Sequence, residues 1–315
     1  MAPKTVHSIL DAIGNTPVVQ LRKVAPPDSA DIFVKLEYYN PTGSYKDRMA
    51  LAMIEKAEKR GDLRPGMTVV EYTGGSTGSS LAFVCAVKGY TFSVVSSDAF
   101  AKEKLDTMKA FGAELTVVPS DGGEVTPDLI PKMMERASEI ARSRPSYFTN
   151  QLHNRDGAAG YEPIGRELLD QIAAPIDAFC SSVGTAHMLM GVSRVLRQAR
   201  RSTRVIALEP ASSPVISKGR SGTHHVEGIG IGFFPPLLEK SLYDEARGID
   251  EANSRAMAWR LAREEGIFAG TSTGMNILGA CEIARELGPG HTVVTVAVDT
   301  GLKYLAGDLF GAEQP

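Results

Sequence analysis

Residues 40–48 read Asn-Pro-Thr-Gly-Ser-Tyr-Lys-Asp-Arg, and they set Lys46 where a lysine can react. Asn-Pro-Thr-Gly is turn chemistry: proline fixes φ, while glycine and asparagine tolerate left-handed backbone. The run follows a strand-like stretch at 32–39 and precedes a helical one at 49–59. Lys46 is therefore expected near a helix N-terminus, where the backbone dipole disfavours a second positive charge. A lysine so placed loses its proton more easily, and the neutral amine is the nucleophile that condenses with an aldehyde. The plain alternative is a solvated lysine in a helix's first turn. What weighs against it lies further along the chain.

Two glycine-rich turns each follow a strand-like run and open a helix-like one. The first, after 67–72, is Thr73-Gly74-Gly75-Ser76-Thr77-Gly78; the second, after 178–182, is Val183-Gly184-Thr185-Ala186-His187. Such a unit aims unpaired backbone N–H groups at one spot and adds the helix dipole, so it binds anions. Either turn alone is weak evidence, since tight strand–helix turns need glycine merely to turn. Neither is G-x-G-x-x-G or a Walker motif, so dinucleotides and nucleoside triphosphates gain little support. Two anion sites and one activated lysine suit a ligand with an aldehyde and a phosphate beside a second anion. Pyridoxal phosphate next to an amino-acid carboxylate fits that description.

Further motifs make the match specific. Residues 8–17 (Ser-Ile-Leu-Asp-Ala-Ile-Gly-Asn-Thr-Pro) resemble the opening of the cysteine synthase and cystathionine β-synthase family of fold-type-II pyridoxal phosphate enzymes. Residues 40–48 resemble that family's cofactor-lysine motif, and 73–78 its substrate-carboxylate loop, usually Thr-Ser-Gly-Asn-Thr-Gly. Residues 102–115 resemble its mobile-domain helix, 183–191 occupy the phosphate-loop position, and Gln151 stands where a carboxylate-contacting Gln follows an aromatic-rich strand. Gly228 opens a glycine turn (228–233) placed by the resemblance beside substrate, and Ser272 lies in Gly-Thr-Ser-Thr-Gly, whose Ser meets the pyridine nitrogen in the family. The motifs keep family order across nearly the whole chain. Three positions depart from the pattern: Ser76 replaces an Asn that contacts the ring hydroxyl, and Gly74 replaces a Ser that helps bind carboxylate. In the phosphate loop, Gly184-Thr185-Ala186-His187-Met188 replaces Gly-Thr-Gly-Gly-Thr, losing a hydroxyl and gaining an imidazole.

The resemblance implies that Lys46 carries the cofactor and moves the substrate's α-proton. Val183, Gly184, Thr185, Ala186, His187 and Met188 would hold the phosphate, with Ser76 and Ser272 at the ring. Thr73, Gly74, Gly75, Thr77, Gln151 and Gly228 would hold the substrate. His187 is expected to donate a hydrogen bond in place of the missing hydroxyl. A hydroxyl at Ser272 cannot hold the pyridine nitrogen protonated as a carboxylate would, which favours prompt loss of a β-substituent over transamination. The plain alternative for Ser272 is a helix N-cap ahead of 275–286, compatible with the first role if the cap faces the cleft. The reaction expected is β-replacement on an O-activated serine, through an α-aminoacrylate, by sulfide or a similar small nucleophile. The alternative is a lyase that stops at elimination, such as a serine/threonine dehydratase or cysteine desulfhydrase. A cofactor-free binding protein is disfavoured because Lys46 and Ser272 are both present.

Length and composition agree. At 315 residues, 43% hydrophobic and 23% charged, the chain is ordinary globular material with room for two domains of about 150 residues each. A net charge of −3, with no basic run longer than Arg200-Arg201, argues against nucleic acid as a partner. No apolar stretch approaches a membrane span and residues 1–6 lack a signal pattern, so a cytoplasmic protein is expected. Cys85, Cys180 and Cys281 lie in apolar patterns and read as buried thiols. His153, His187, His224, His225 and His291 have no partner at ligand spacing, so no metal is expected.

Strand-like and helix-like runs alternate, most clearly over 91–144, which predicts βαβ units around parallel sheets. Residues 209–250, rich in Gly, Pro and Ser, read as loops. The fold expected is α/β with two three-layer αβα domains and mainly parallel sheets, like tryptophan synthase β. The resemblance implies a larger domain of 1–40 plus 150–315, a smaller mobile one of 41–149, and a homodimer.

Overall fold

The computed structural model describes residues 5–122, 126 and 128–311. Their strands are β1 (Val18–Gln20), β2 (Asp31–Leu36), β3 (Thr68–Tyr72), β4 (Thr91–Ser97), β5 (Glu114–Val118), β6 (Ser146–Phe148), β7 (Ala178–Ser182), β8 (Arg204–Pro210), β9 (Glu245–Ile249) and β10 (Thr292–Ala297). The α-helices are α1 (Lys46–Arg60), α2 (Ser76–Lys88), α3 (Lys102–Ala110), α4 (Leu129–Ser143), α5 (Asp156–Gln171), α6 (His187–Ala199), α7 (Val215–Lys218), α8 (Glu251–Arg260), α9 (Thr271–Leu287) and α10 (Asp308–Gly311). Strand and helix alternate as the sequence does, and the fold is α/β with mainly parallel sheets. The chain divides into two compact units, Met1–Ile13 with Lys46–Gly160 and Gly14–Tyr45 with Tyr161–Pro315.

The first unit holds a four-stranded parallel sheet in the order β5-β4-β3-β6. All five residues of β3 are buried, as expected of a parallel sheet covered on both faces. Alternate residues feed opposite faces. Val69 and Val94 pack with Ile54 of α1, Leu81 of α2 and Met108 of α3, whereas Val70, Tyr72 and Val95 pack with Leu129, Met133 and Ala137 of α4. The result is helix, sheet and helix in three layers. Because the strands are parallel, the turns after β3, β4 and β6 leave the sheet on one edge.

The second unit is built on a six-stranded sheet in the order β1-β2-β10-β7-β8-β9, parallel except where β1 meets β2. Its core joins Ile32 and Val34 of β2, Ile206 and Leu208 of β8, Val293 of β10 and Ile277 of α9. Lys35 is fully buried there, with Nζ 2.7 Å from Glu167, 2.6 Å from the Thr16 carbonyl and 2.8 Å from Gln171. A carboxylate and two acceptors make that buried charge tolerable.

One expectation about 209–250 is corrected. Within those residues β9 pairs in parallel with β8, and its sequence Glu-Ala-Arg-Gly-Ile has too few apolar residues to announce a strand. It is an edge strand, where charge is the usual protection; Arg247 there pairs with Glu245 and Glu286. The three cysteines are buried and free, as the pattern predicted, and burial pushes the Cys85 and Cys180 thiols up to about 12. Among the described residues no helix is long and apolar enough to cross a membrane.

Candidate active site

Lys46 is the first residue of α1 and is only 8% exposed. The turn before it is fixed in detail within the second unit. Asn40 is buried; its Oδ1 accepts from the Gly14 N–H at 2.8 Å, and its Nδ2 donates to Glu37 Oε2 at 2.9 Å. Gly43 adopts φ +71°, and a Cβ there would lie 2.7 Å from Thr300 Cγ2, so both conformation and space require glycine. Tyr45 N–H then donates to the Val298 carbonyl at 3.0 Å. Within the first unit, a Cβ at Gly160 of α5 would meet the Arg48 carbonyl at 2.3 Å, so α5 approaches the first turn of α1 as closely as backbone allows.

The same unit presents the loop that follows β3. Thr73 Oγ1 accepts from Gly75 N–H at 3.2 Å, and Gly75, in extended backbone, is the N-cap of α2. Among the described residues, a Cβ at Gly75 would meet nothing within 4 Å, so the turn is open at this point. Thr77 Oγ1 donates to Gln151 Oε1 at 2.8 Å, joining the loop after β3 to the loop after β6. Thr73, Gly75, Ser76, Thr77 and Gln151 thus belong to one edge of one sheet, at a helix N-terminus suited to a carboxylate. Gly74 is covered: a Cβ there would lie 2.2 Å from the ring of Phe100, in the loop after β4. Phe100 therefore fills the space a side chain at 74 would need.

Sequence reasoning passed over one residue here. Glu71 of β3 is fully buried, and burial pushes its carboxyl up to about 7. Hydrogen bonds from Thr149, Tyr72 and Gln151 and the charge of Lys46 act in the opposite direction, so Lys46 lies within electrostatic reach of this carboxylate.

In the second unit, the loop after β7 runs from Val183 to Ala186 and opens α6. Gly230 N–H donates to the Val183 carbonyl at 3.0 Å, and a Cβ at Gly184 would lie 2.4 Å from the Gly228 carbonyl. Two glycine turns thus meet backbone to backbone, which no other residue at 184 would permit. Ala186, the N-cap of α6, takes φ +70° and ψ −12°, a left-handed conformation normally left to glycine. His187 and Met188 begin the helix, both buried. The His187 ring turns back onto the loop, with Nδ1 2.9 Å from Thr185 Oγ1. Just before the loop, the buried Ser182 Oγ has no hydrogen-bond partner among the described residues. An anion-cradling loop edged by an orphaned hydroxyl and backed by a helix N-terminus fits a phosphate.

Ser272 lies one residue inside α9 and is 4% exposed. The expectation that it caps the helix is corrected: Gly270 is the N-cap, and no side chain caps it. Ser272 instead lines a cavity of about 20 Å³ with His225, Glu227, Arg255 and Tyr304. The start of α9 is locked to the sheet. Asn276 Oδ1 accepts from Ser182 N–H at 2.7 Å, and Nδ2 donates to the Val296 carbonyl at 2.9 Å. Asn276 was also missed; the available signal was one polar residue in an otherwise apolar helical run, Met275-Asn276-Ile277-Leu278. Tyr304 O–H donates to Asp299 at 2.8 Å, and burial beside that carboxylate pushes the phenol well up.

The comparisons with known proteins agree with one another. A family model described as pyridoxal-phosphate dependent enzyme matches residues 9–299. The chain is 43% identical to a cysteine synthase of Staphylococcus aureus over 98% of this chain and 99% of that protein. It is 37% identical to O-ureido-L-serine synthase of Streptomyces lavendulae, over 96% of this chain and 92% of that protein. The crystal structure of cysteine synthase from Entamoeba histolytica superposes with a TM-score of 0.93 at 31% identity, covering 100% of this chain and 94% of the other.

Proposed function

The chain belongs to the family of pyridoxal-phosphate-dependent enzymes, of the cysteine synthase type, and from that premise we infer β-replacement on an O-activated serine. Sulfide, or a nucleophile of similar size, is the second substrate. The observation that carries the reading is the Thr77–Gln151 pair at the open N-terminus of α2, with buried Lys46 beginning another helix of the same unit. An amino-acid carboxylate and a reactive amine are the two groups such chemistry must bring together.

Pyridoxal phosphate is the cofactor; when bound, it supplies an aldehyde for attachment and a ring that draws electrons from the substrate's α-carbon. Lys46 Nζ would hold the cofactor's aldehyde carbon and would move the substrate's α-proton. Thr73, Gly74, Gly75, Ser76, Thr77 and Gln151 are assigned to the carboxylate and the adjoining edge of the cofactor. Residues 183–188 are assigned to the phosphate. Gly184 gives that loop its close backbone, and His187 holds the Thr185 hydroxyl in place. Ser272 is assigned to the ring nitrogen, where a hydroxyl leaves it unprotonated. Gly228 is assigned to the substrate side of the same turn. A homodimer acting in the cytoplasm completes the proposal.

Incubation with O-activated serines, with and without sulfide, tests it. The expected result is cysteine formed only when both are present. Pyruvate and ammonia released at the same rate without sulfide would replace the transferase reading with the lyase one.

A further inference from the structure

Glu71 has no part in binding or proton transfer as assigned above, yet its buried carboxylate accepts three hydrogen bonds beside them. Oε2 accepts from Thr149 Oγ1 at 2.6 Å and from the Gln151 N–H at 3.0 Å. Oε1 accepts from the Tyr72 N–H at 2.9 Å. The two oxygens thus tie the end of β3 to the loop after β6, just before the turn at 73–78. The next link outward is the bond from Thr77 to Gln151. Burying a carboxylate is costly unless it is paired and hydrogen-bonded, and an apolar side chain would suit a fully covered strand position without that cost.

We propose that Glu71 is a positioning residue for the substrate carboxylate, acting by fixing the Gln151 backbone and so the Thr77–Gln151 pair. It rests on the reading that this pair binds an amino-acid carboxylate. The chemistry needs an ionised group, because both oxygens must accept from backbone N–H donors. An amide in the same place has one oxygen and one NH2, so either the Tyr72 or the Gln151 N–H would face another donor. Burial raises this carboxyl to about 7, the three hydrogen bonds and Lys46 oppose that rise, and above that pH the ionised form holds both N–H groups. Thr149 supports the arrangement from its other side, since its hydroxyl also lies 3.1 Å from the Val70 carbonyl.

The test compares holoenzyme carrying Glu71→Gln, Thr149→Val or Thr149→Ser with wild type. Binding is followed through the cofactor's visible spectrum, using L-alanine, which has no leaving group, and ethylamine, which has no carboxylate. For L-alanine, Glu71→Gln should raise Kd about tenfold, the equivalent of one hydrogen bond, while leaving ethylamine within twofold. Thr149→Val should move in the same direction, and Thr149→Ser, which keeps the hydroxyl, should match wild type. Unchanged L-alanine affinity in both Glu71→Gln and Thr149→Val overturns the proposal, as does an equal loss for both ligands, which marks general damage. Should Glu71→Gln fail to fold, the Thr149 pair decides alone. If wild type binds no amino acid, the functional reading itself fails and this inference falls with it. If wild type binds and the variants bind equally well, only this inference fails.

Discussion

Replacing Glu71 with Gln should change how stability depends on pH, in a direction set by the burial of its carboxyl. Burial raises this carboxyl to about 7, against 4.5 for an ordinary glutamate, and the hydrogen bonds and Lys46 only partly offset it. The folded protein therefore holds the Glu71 proton more tightly than the unfolded chain does. Between pH 4.5 and about 7 the folded state binds more protons, so this group's contribution to stability falls as pH rises. It is fully present below pH 4.5 and gone above about 7. At 1.36 kcal/mol per pH unit, that interval corresponds to roughly 3 kcal/mol. The variant lacks the titration, so its stability should decline less steeply over the same range. Urea unfolding of both proteins from pH 4.5 to 8 would read the difference. Wild-type stability minus that of the variant should fall by roughly 3 kcal/mol with rising pH. Parallel curves would show that Glu71 titrates normally, and the account of its burial would be wrong.

Three further outcomes follow from the same geometry. Gly74→Ser should destabilise by about 1–3 kcal/mol through overpacking against Phe100, and Phe100→Ala in the same chain should recover most of it in a thermal double-mutant cycle. Ala186→Gly should stabilise by about 1 kcal/mol by relieving the left-handed backbone; a loss in denaturant titration would mean that the alanine methyl packs more than it strains. His187→Ala and Thr185→Ala should each weaken cofactor retention in dialysis by about 1 kcal/mol, and together by little more than either alone. Additive losses would mean the two side chains act separately.

What the sequence showed and what it hid divide along a physical line. The glycine turns at 73–78 and 183–186, the helix opening at Lys46 and the strands at 91–97 and 178–182 are local features, written in apolar runs and in glycine. Glu71 is different. It reads as one polar residue in a strand, and only the pairing of β3 with β6 brings Thr149 and Gln151 to it, 78 and 80 residues away. Phe100 over Gly74 likewise depends on adjacent strands of the sheet. At His187 the spacing placed the residue at the start of its helix, but the direction of the ring, onto Thr185, is a rotamer that no pattern specifies. Ser272 was expected as a cap because Ser favours that role; the helix begins at Thr271, so the cap falls to Gly270.

The account turns on Lys46 as the residue that carries the cofactor. Reducing the holoenzyme with borohydride and mapping the modified peptide by mass spectrometry tests this directly. The expected result is a single phosphopyridoxyl group on the Lys46 side chain in wild type and none in Lys46→Ala, which should fold but lose the visible absorption band. The same group found on another lysine, or an undiminished band in Lys46→Ala, would contradict the assignment of the active site.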